Sequence, residues 1–322
     1  MMNTKRVFLK NKNFKFGYYL RAFFREFSFL PWYRYKRKVL NRDLVLSDQN
    51  FCARLNYYNQ LDHEQIIGSA GCRLKDLKRP DRGSVYYFDL KQYLRYFKGD
   101  LMIDMIPGDV VHVPETPAIV KSRPIRSGNN NAVLLNLDKV RHFNFINDEI
   151  AFRDKKNMLL GRATVYQEHR KAFFNLYFDH PMCDLGDVAK RNRDMRWFKP
   201  TMSISEHLHY KFILALEGND VATNLKWIMS SNSIAVMPTP KFETWFMEGL
   251  LLPDVHYIHI RDDYSDLEEK LNYYISHPEK AEEIIVSAQK FVQQFKNKHR
   301  EDLISIMVLD KFFEQTGQRS LL

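Results

Sequence analysis

The sequence predicts an α/β fold built on a parallel sheet covered by helices, and three observations predict it. Short apolar runs recur at 212–216, 234–237 and 257–260. Segments of helical pattern separate them. Breakers close the first two runs, Gly218 after one and Pro238 and Pro240 after the other. Runs this short, bounded by turn residues, fit strands buried on both faces. In such sheets a ligand lies beyond the carboxyl ends of the strands, on loops that enter helices. The loop 218–223 is such a place, because the N–H groups of a helix start suit a phosphate. An ordinary strand–loop–helix connection fits the same spacing, so the pattern alone gives no reaction.

Residues 1–40 hold eleven Lys or Arg against one acid, Glu26, and so carry the whole net charge of +10. They also hold twelve aromatics, among them Phe23, Phe24, Trp32 and Tyr35. Such a mixture suits an anionic membrane surface, where charges meet head groups and rings sit at the interface. A basic helix packed on the protein and a nucleic-acid surface are the other readings. Residues 41–62 read as helix and turn, 68–82 as a polar surface loop and 86–97 as a helix. A run at 101–106 ends on Pro107-Gly108, and Pro114, Pro117 and Pro124 rule out a long regular element after it. Residues 132–137 read as a buried strand and 152–157 as a charged inter-domain linker.

A short strand at 158–160 precedes Arg162. Residues 166–178 form a helix with Phe173, Phe174, Tyr177 and Phe178 on one face. The stretch 188–200 is basic and exposed, and 203–209 a short helix. Residues 223–230 read as a helix with Asp220 and Thr223 as caps. The stretch around Trp245, Phe246 and Leu250 reads as amphipathic. Ser265-Asp266 with Glu268 marks the start of a helix over 265–274. Two more helices follow at 279–296 and 300–316.

A chain of 322 residues with 45% hydrophobic residues has room for two domains. Three cysteines without a CxxC spacing argue against a disulfide framework or a cysteine zinc site, and fit a reducing compartment. No apolar stretch approaches the roughly 18–20 residues of a spanning helix. The early apolar patch is broken by Arg21, Arg25 and Glu26, unlike a signal peptide.

No GxSxG, P-loop or HExxH occurs. The Asp262-Asp263 pair fits a divalent ion on a sugar nucleotide, but fits a solvated turn better. What remains suits a negatively charged substrate. Arg162 follows a strand end, with Arg170 eight residues on. Lys121, Arg123 and Arg126 fall in one stretch and Arg141-His142 in another. The arginine fork makes paired, charge-assisted bonds to phosphate. Asp109 stands on an irregular loop at a strand end, where catalytic carboxylates often sit.

Several ordered segments resemble glycosyltransferase family 90, most closely its bacterial lipopolysaccharide-type branch. They are GDVVHVPETPAIVKSRPI, LDKVRHFNFINDEIAFRDKK, GRATVYQEHR, KFILALEGNDVATNLKWIMSSNSIAVMP, WFMEGLLLPDVHYIHI and DDYSDLEEKLNYYISHPEKAEEII, and the resemblance covers about residues 99–290. The resemblance implies a GT-B architecture, two Rossmann-like domains facing a cleft. The expected division is a basic segment 1–40, an acceptor-side domain 41–155 and a nucleotide-sugar domain 156–322. The implied reaction is inverting, metal-independent transfer from a UDP-sugar to a lipopolysaccharide or other surface glycan. No cofactor is implied beyond the donor substrate. Asp109 lines up with the family's base. Arg162, Thr164, Arg170, Asn219, Asp220, Val221, Ala222, Thr223, Asn224 and Lys226 line up with donor binding. Lys121, Arg123, Arg141, His142 and Phe143 are further donor or acceptor contacts.

Ala163 stands where the family usually has glycine, and Asn224 where eukaryotic members have arginine, so the diphosphate falls to Lys226, or to Arg162 and Arg170. The expected partners are a nucleotide sugar, a lipid-linked or oligosaccharide acceptor and, through residues 1–40, an anionic membrane surface. The expected place is the inner face of the cytoplasmic membrane. A protein or capsule transferase of the same fold is the alternative enzyme. A basic nucleic-acid- or membrane-binding module is the alternative of another class.

Overall fold

The computed structural model describes residues 15–26, 48–81 and 83–318, so most of the basic segment lies outside the described residues. Contacts divide the chain into two compact units. One contains Val140–Pro240 and Leu250–Lys296, and the other Lys15–Lys139, Lys241–Gly249 and Asn297–Leu322.

The first unit is Rossmann-like. Its strands are β1 (Lys156–Ala163), β2 (Cys183–Asp187), β3 (Tyr210–Leu214), β4 (Ile234–Met237) and β5 (Ile258–His259). They lie in the order β5-β4-β3-β1-β2, and every neighbouring pair is parallel. Phe212 sits opposite Ile234, and Val236 opposite Ile258, as expected for apolar runs buried on both faces. All residues of β3 and β4 are buried. Helices Glu168–Tyr177, Leu267–Ser276 and Pro278–Gln293 cover the sheet, with Phe173, Leu271 and Ile284 packed into its core. Gly161 keeps β1 flush with its neighbours, since a Cβ there would come 2.8 Å from Leu185 Cδ2.

Several expectations change here. β1 starts at Lys156 and runs through Arg162, so 152–157 is no linker. Phe152 lies in the sheet core, and Lys155 makes a buried 2.7 Å ion pair with Asp148. The helix expected at 223–230 shrinks to Leu225–Met229. Neither Asp220 nor Thr223 caps it. Asn224 precedes it and donates its amide N–H to the Leu214 carbonyl instead, at 2.9 Å. The helix expected from Ser265 starts at Leu267. Asp266 accepts from the Arg261 N–H at 2.8 Å, and Ser265 donates to Asp263, so the capping box does not form.

In the second unit, strands Met105–Ile106, Ala118–Val120 and Ala132–Leu134 form a parallel sheet in that order. Helices Gln49–Tyr58, Ser84–Leu94 and Lys298–Gln315 belong to this unit. Trp245 stacks on Tyr58 at 3.7 Å and donates its indole N–H to Glu301. Glu301 also takes both ends of a buried Arg54 fork, at 2.6 and 2.8 Å. Trp245 and Phe246 are therefore core residues rather than one face of an amphipathic segment.

Candidate active site

Read from its other edge, the five-stranded sheet runs 2-1-3-4-5. The strand order reverses between β1 and β3, and in open parallel sheets the crevice at such a reversal, outside the carboxyl ends, is where ligands bind. The loop after β1 (164–167) and the loop after β3 (215–224) both leave that edge.

Arg170 fastens these two loops together. It lies in the first turn of the helix Glu168–Tyr177. Its Nε donates to the Glu217 carbonyl at 2.8 Å, one Nη to Thr164 at 2.9 Å and the other to Leu216 at 2.8 Å. Burial pushes the guanidinium below its ordinary pKa, which still leaves it charged. His169 Nε2 lies 2.9 Å from the same Glu217 oxygen. Tyr166 and Gln167 donate to the Asn219 amide oxygen, and the Arg191 guanidinium lies 5.5 Å above the Tyr166 ring. Thr164 thus takes part through its backbone.

The rest of the expected donor set is divided by burial. Asn219, Thr223 and Asn224 keep some exposure, while Asp220, Val221, Ala222 and Lys226 are buried. The five-residue helix behind them supplies little dipole. The anion site expected at that helix start is therefore weaker than the spacing implied.

Arg162 points elsewhere. Its guanidinium turns back along the sheet, donating to the Asp184 carbonyl at 2.7 Å and its carboxylate at 2.8 Å. Asp184 lies beside Leu160, two residues before Arg162 on β1. Lys199 adds a 2.9 Å contact to the same carboxylate. Burial opposes charge on Asp184, but Lys199 and Arg162 outweigh it and hold the carboxyl below the ordinary 3.8. A carboxyl depressed by folding stabilises the fold above its unfolded pKa, and this is lost as pH falls through the folded value. The melting temperature should therefore fall as pH drops below about 4, with a shallower slope in Asp184→Asn. Parallel slopes would remove this network from acid stability.

In the second unit, Asp109 and Lys121 meet at the carboxyl edge of the three-stranded sheet. Asp109 follows Met105–Ile106, and Lys121 directly follows Ala118–Val120. Gly108, with φ of +99°, makes the turn before Asp109, a conformation that favours glycine. The Lys121 ammonium lies 2.5 Å from the Asp109 carboxylate. The lysine side chain is 1% exposed and the aspartate 27%, so the carboxylate keeps a solvent-facing side. Ser122 Oγ takes the Val110 N–H at 3.1 Å, pinning the next residue of the loop. Asn136, on the connection after the third strand, is 5% exposed, and its amide oxygen has no hydrogen-bond partner among the described residues.

Arg123 is fully buried. Its fork serves Glu243 and the carbonyls of Ala132 and Tyr57. In the first unit Arg141 is exposed, His142 is 2% exposed, and the Phe143 ring meets Phe145 and Phe295. Asp263 accepts the N–H and hydroxyl of Ser265, making Asp262-Asp263 a turn. No group of three or more His, Cys, Asp or Glu placed for a metal occurs among the described residues. Sequence reasoning passed over Tyr166, Gln167, His169 and Ser122. A signal existed for Tyr166, a large ring in a polar loop just past a strand.

Residues 151–305, which include all five strands of the first unit, match the family described as Glycosyl transferase family 90. The chain is 44% identical over 260 residues to O-glucosyltransferase LpsA of Dichelobacter nodosus, covering 81% of each. It is 30% identical over 92 residues to Protein O-glucosyltransferase 2 of Danio rerio, covering 29% of this chain and 18% of that protein. A further stretch of 109 residues is 31% identical to Uncharacterized protein 179R of Invertebrate iridescent virus 6, covering 32% of this chain and 9% of the relative.

Proposed function

Because this chain belongs to glycosyl transferase family 90 and is a glycosyltransferase, we propose that it moves a sugar from a UDP-sugar to a lipopolysaccharide or other surface-glycan acceptor. In this reading the transfer inverts the anomeric centre, uses no metal and takes place at the cytoplasmic face of the membrane. The observation that carries it is the Arg170 staple, which gives the sheet's switch point two fixed loops where a nucleotide belongs. A GT-B arrangement would place the donor on the first unit and the acceptor on the second.

In the reaction, the acceptor hydroxyl oxygen attacks the anomeric carbon and the bond from that carbon to the diphosphate oxygen breaks. The nucleoside diphosphate leaves with the electron pair. Asp109 takes the hydroxyl proton, as a positioned carboxylate can. Lys121 holds that carboxylate in place through the 2.5 Å contact. Arg170 acts by holding the loop whose backbone faces the donor.

UDP should bind measurably in calorimetry and raise the melting temperature, while a single-stranded oligonucleotide should not. Sugar transfer should continue in excess EDTA. Activity lost in EDTA and restored by manganese or magnesium would overturn the metal-independent reading. A protein acceptor is the second reading, favoured by the similarity to the Danio rerio protein. Parallel assays with peptide and oligosaccharide acceptors separate the two.

A further inference from the structure

The helix Lys15–Glu26 lies on the second unit by one edge. Ala22 packs with Tyr87 and Phe88, Tyr18 donates to Asp89 at 2.7 Å, and Arg25 donates to Gln92 at 2.7 Å. Positions 18, 22 and 25 fall on one side at 3.6 residues per turn. The other side carries Phe16, Tyr19, Leu20, Phe23 and Phe24, whose exposures run from 40% to 68%. Lys15 and Arg21, both exposed, border this strip, one on each flank.

Of the five large apolar side chains on this face, Tyr19 also meets Phe88 at 6.1 Å between ring centroids, whereas Leu20 and Phe24 turn 44% and 64% of their surface outward. Aromatic rings flanked by cations match the boundary between acyl chains and anionic head groups. Among the described residues no helix is long and apolar enough to cross a membrane, so this helix would lie along a surface rather than span it. The charge supports the same partner, since every excess positive charge of the chain lies in residues 1–40.

We propose that the outward face of Lys15–Glu26 beds in the plane of an anionic lipid bilayer, with Leu20 and Phe24 among the penetrating side chains. The edge carrying Tyr18, Ala22 and Arg25 holds the second unit to that surface. The geometry stands apart from the transfer chemistry, and rests on the glycan reading only for its purpose, bringing the enzyme to a lipid-linked acceptor.

The test is co-sedimentation of the full chain with vesicles of phosphatidylcholine alone or mixed with phosphatidylglycerol, with UDP binding measured separately. The parent should bind the anionic vesicles and release in high salt. Leu20→Ser with Phe24→Ser should weaken binding on the order of tenfold at any salt. Lys15→Glu with Arg21→Glu should weaken it on the order of tenfold, on anionic vesicles alone. Both pairs should bind UDP as the parent does, so failure of the anchor and failure of the donor reading are distinguishable. Vesicle binding unchanged in the Leu20/Phe24 pair would overturn the proposal. A parent dimer that this pair converts to monomer, or an oligonucleotide affinity lost in place of vesicle affinity, would overturn it in favour of a second copy or of nucleic acid.

Discussion

Asp109→Asn should lower turnover by about 10²- to 10⁴-fold, the usual worth of a general base. Asn has the same shape but cannot accept the acceptor proton. Affinity for UDP, measured by calorimetry, should change little, because the carboxylate serves the acceptor hydroxyl. The substitution also removes the counter-charge of Lys121, whose side chain is 1% exposed, so a lowered melting temperature is expected alongside. The two effects separate readily, since a folded variant that binds UDP and fails to transfer has lost chemistry. Near-normal turnover would remove Asp109 from the mechanism and leave it as the partner of a buried lysine.

Arg170→Ala should cost about 2 to 4 kcal/mol in transition-state stabilisation, comparable to losing one preorganised donor at a reacting centre. The route is indirect. Without the guanidinium, the carbonyls of Thr164, Leu216 and Glu217 each lose one donor, and Glu217 retains the contact with His169. Leu216 is buried, and a buried acceptor left unsatisfied costs about 1–3 kcal/mol, while Thr164 and Glu217 are partly exposed. The loops after β1 and β3 then relax to find other partners, and UDP affinity falls. Arg170→Lys should rescue only part, because one ammonium cannot reach three carbonyls in a plane. Arg162→Ala should lower the melting temperature through Asp184 while moving UDP affinity less. UDP bound as tightly by Arg170→Ala as by the parent would show that the donor site is not at this switch point.

The strands that could be read in advance were those whose apolar residues run together. β3, β4 and β5 are of this kind, and β4 is found within its expected bounds. β2 has the sequence CDLGD, in which acids and a glycine hide an edge strand that pairs with β1 and bridges to Phe198 through Asp187. Trp245 looked amphipathic because its partners, Tyr58 and Glu301, lie far off in the chain. The arginines show the same limit at the site. The residue types pointed to an anion, but whether a guanidinium faces solvent or a ring of carbonyls depends on chain segments 46 and 47 positions away. Asp109 was legible from Gly108 and the loop around it, while its fastening by Lys121 depended on two adjacent strands.

The way the polypeptide threads the second unit also bears on its birth. Arg54 and Glu301 are separated by 247 positions, and at about 5–20 residues per second the ribosome needs roughly ten to fifty seconds to deliver the second after the first. For most of that interval Tyr58 lacks the stacking of Trp245, and the faces later covered by Lys298–Gln315 stay wet. By contrast, the five strands of the sheet and the helix ending at Gln293 all emerge between residues 156 and 293, with Lys241–Gly249 of the other unit as a break between β4 and β5, and can pack as they appear. The nascent protein thus carries a packed parallel sheet while its other half is still adhesive, so holdase chaperones should recognise the early segment rather than the sheet.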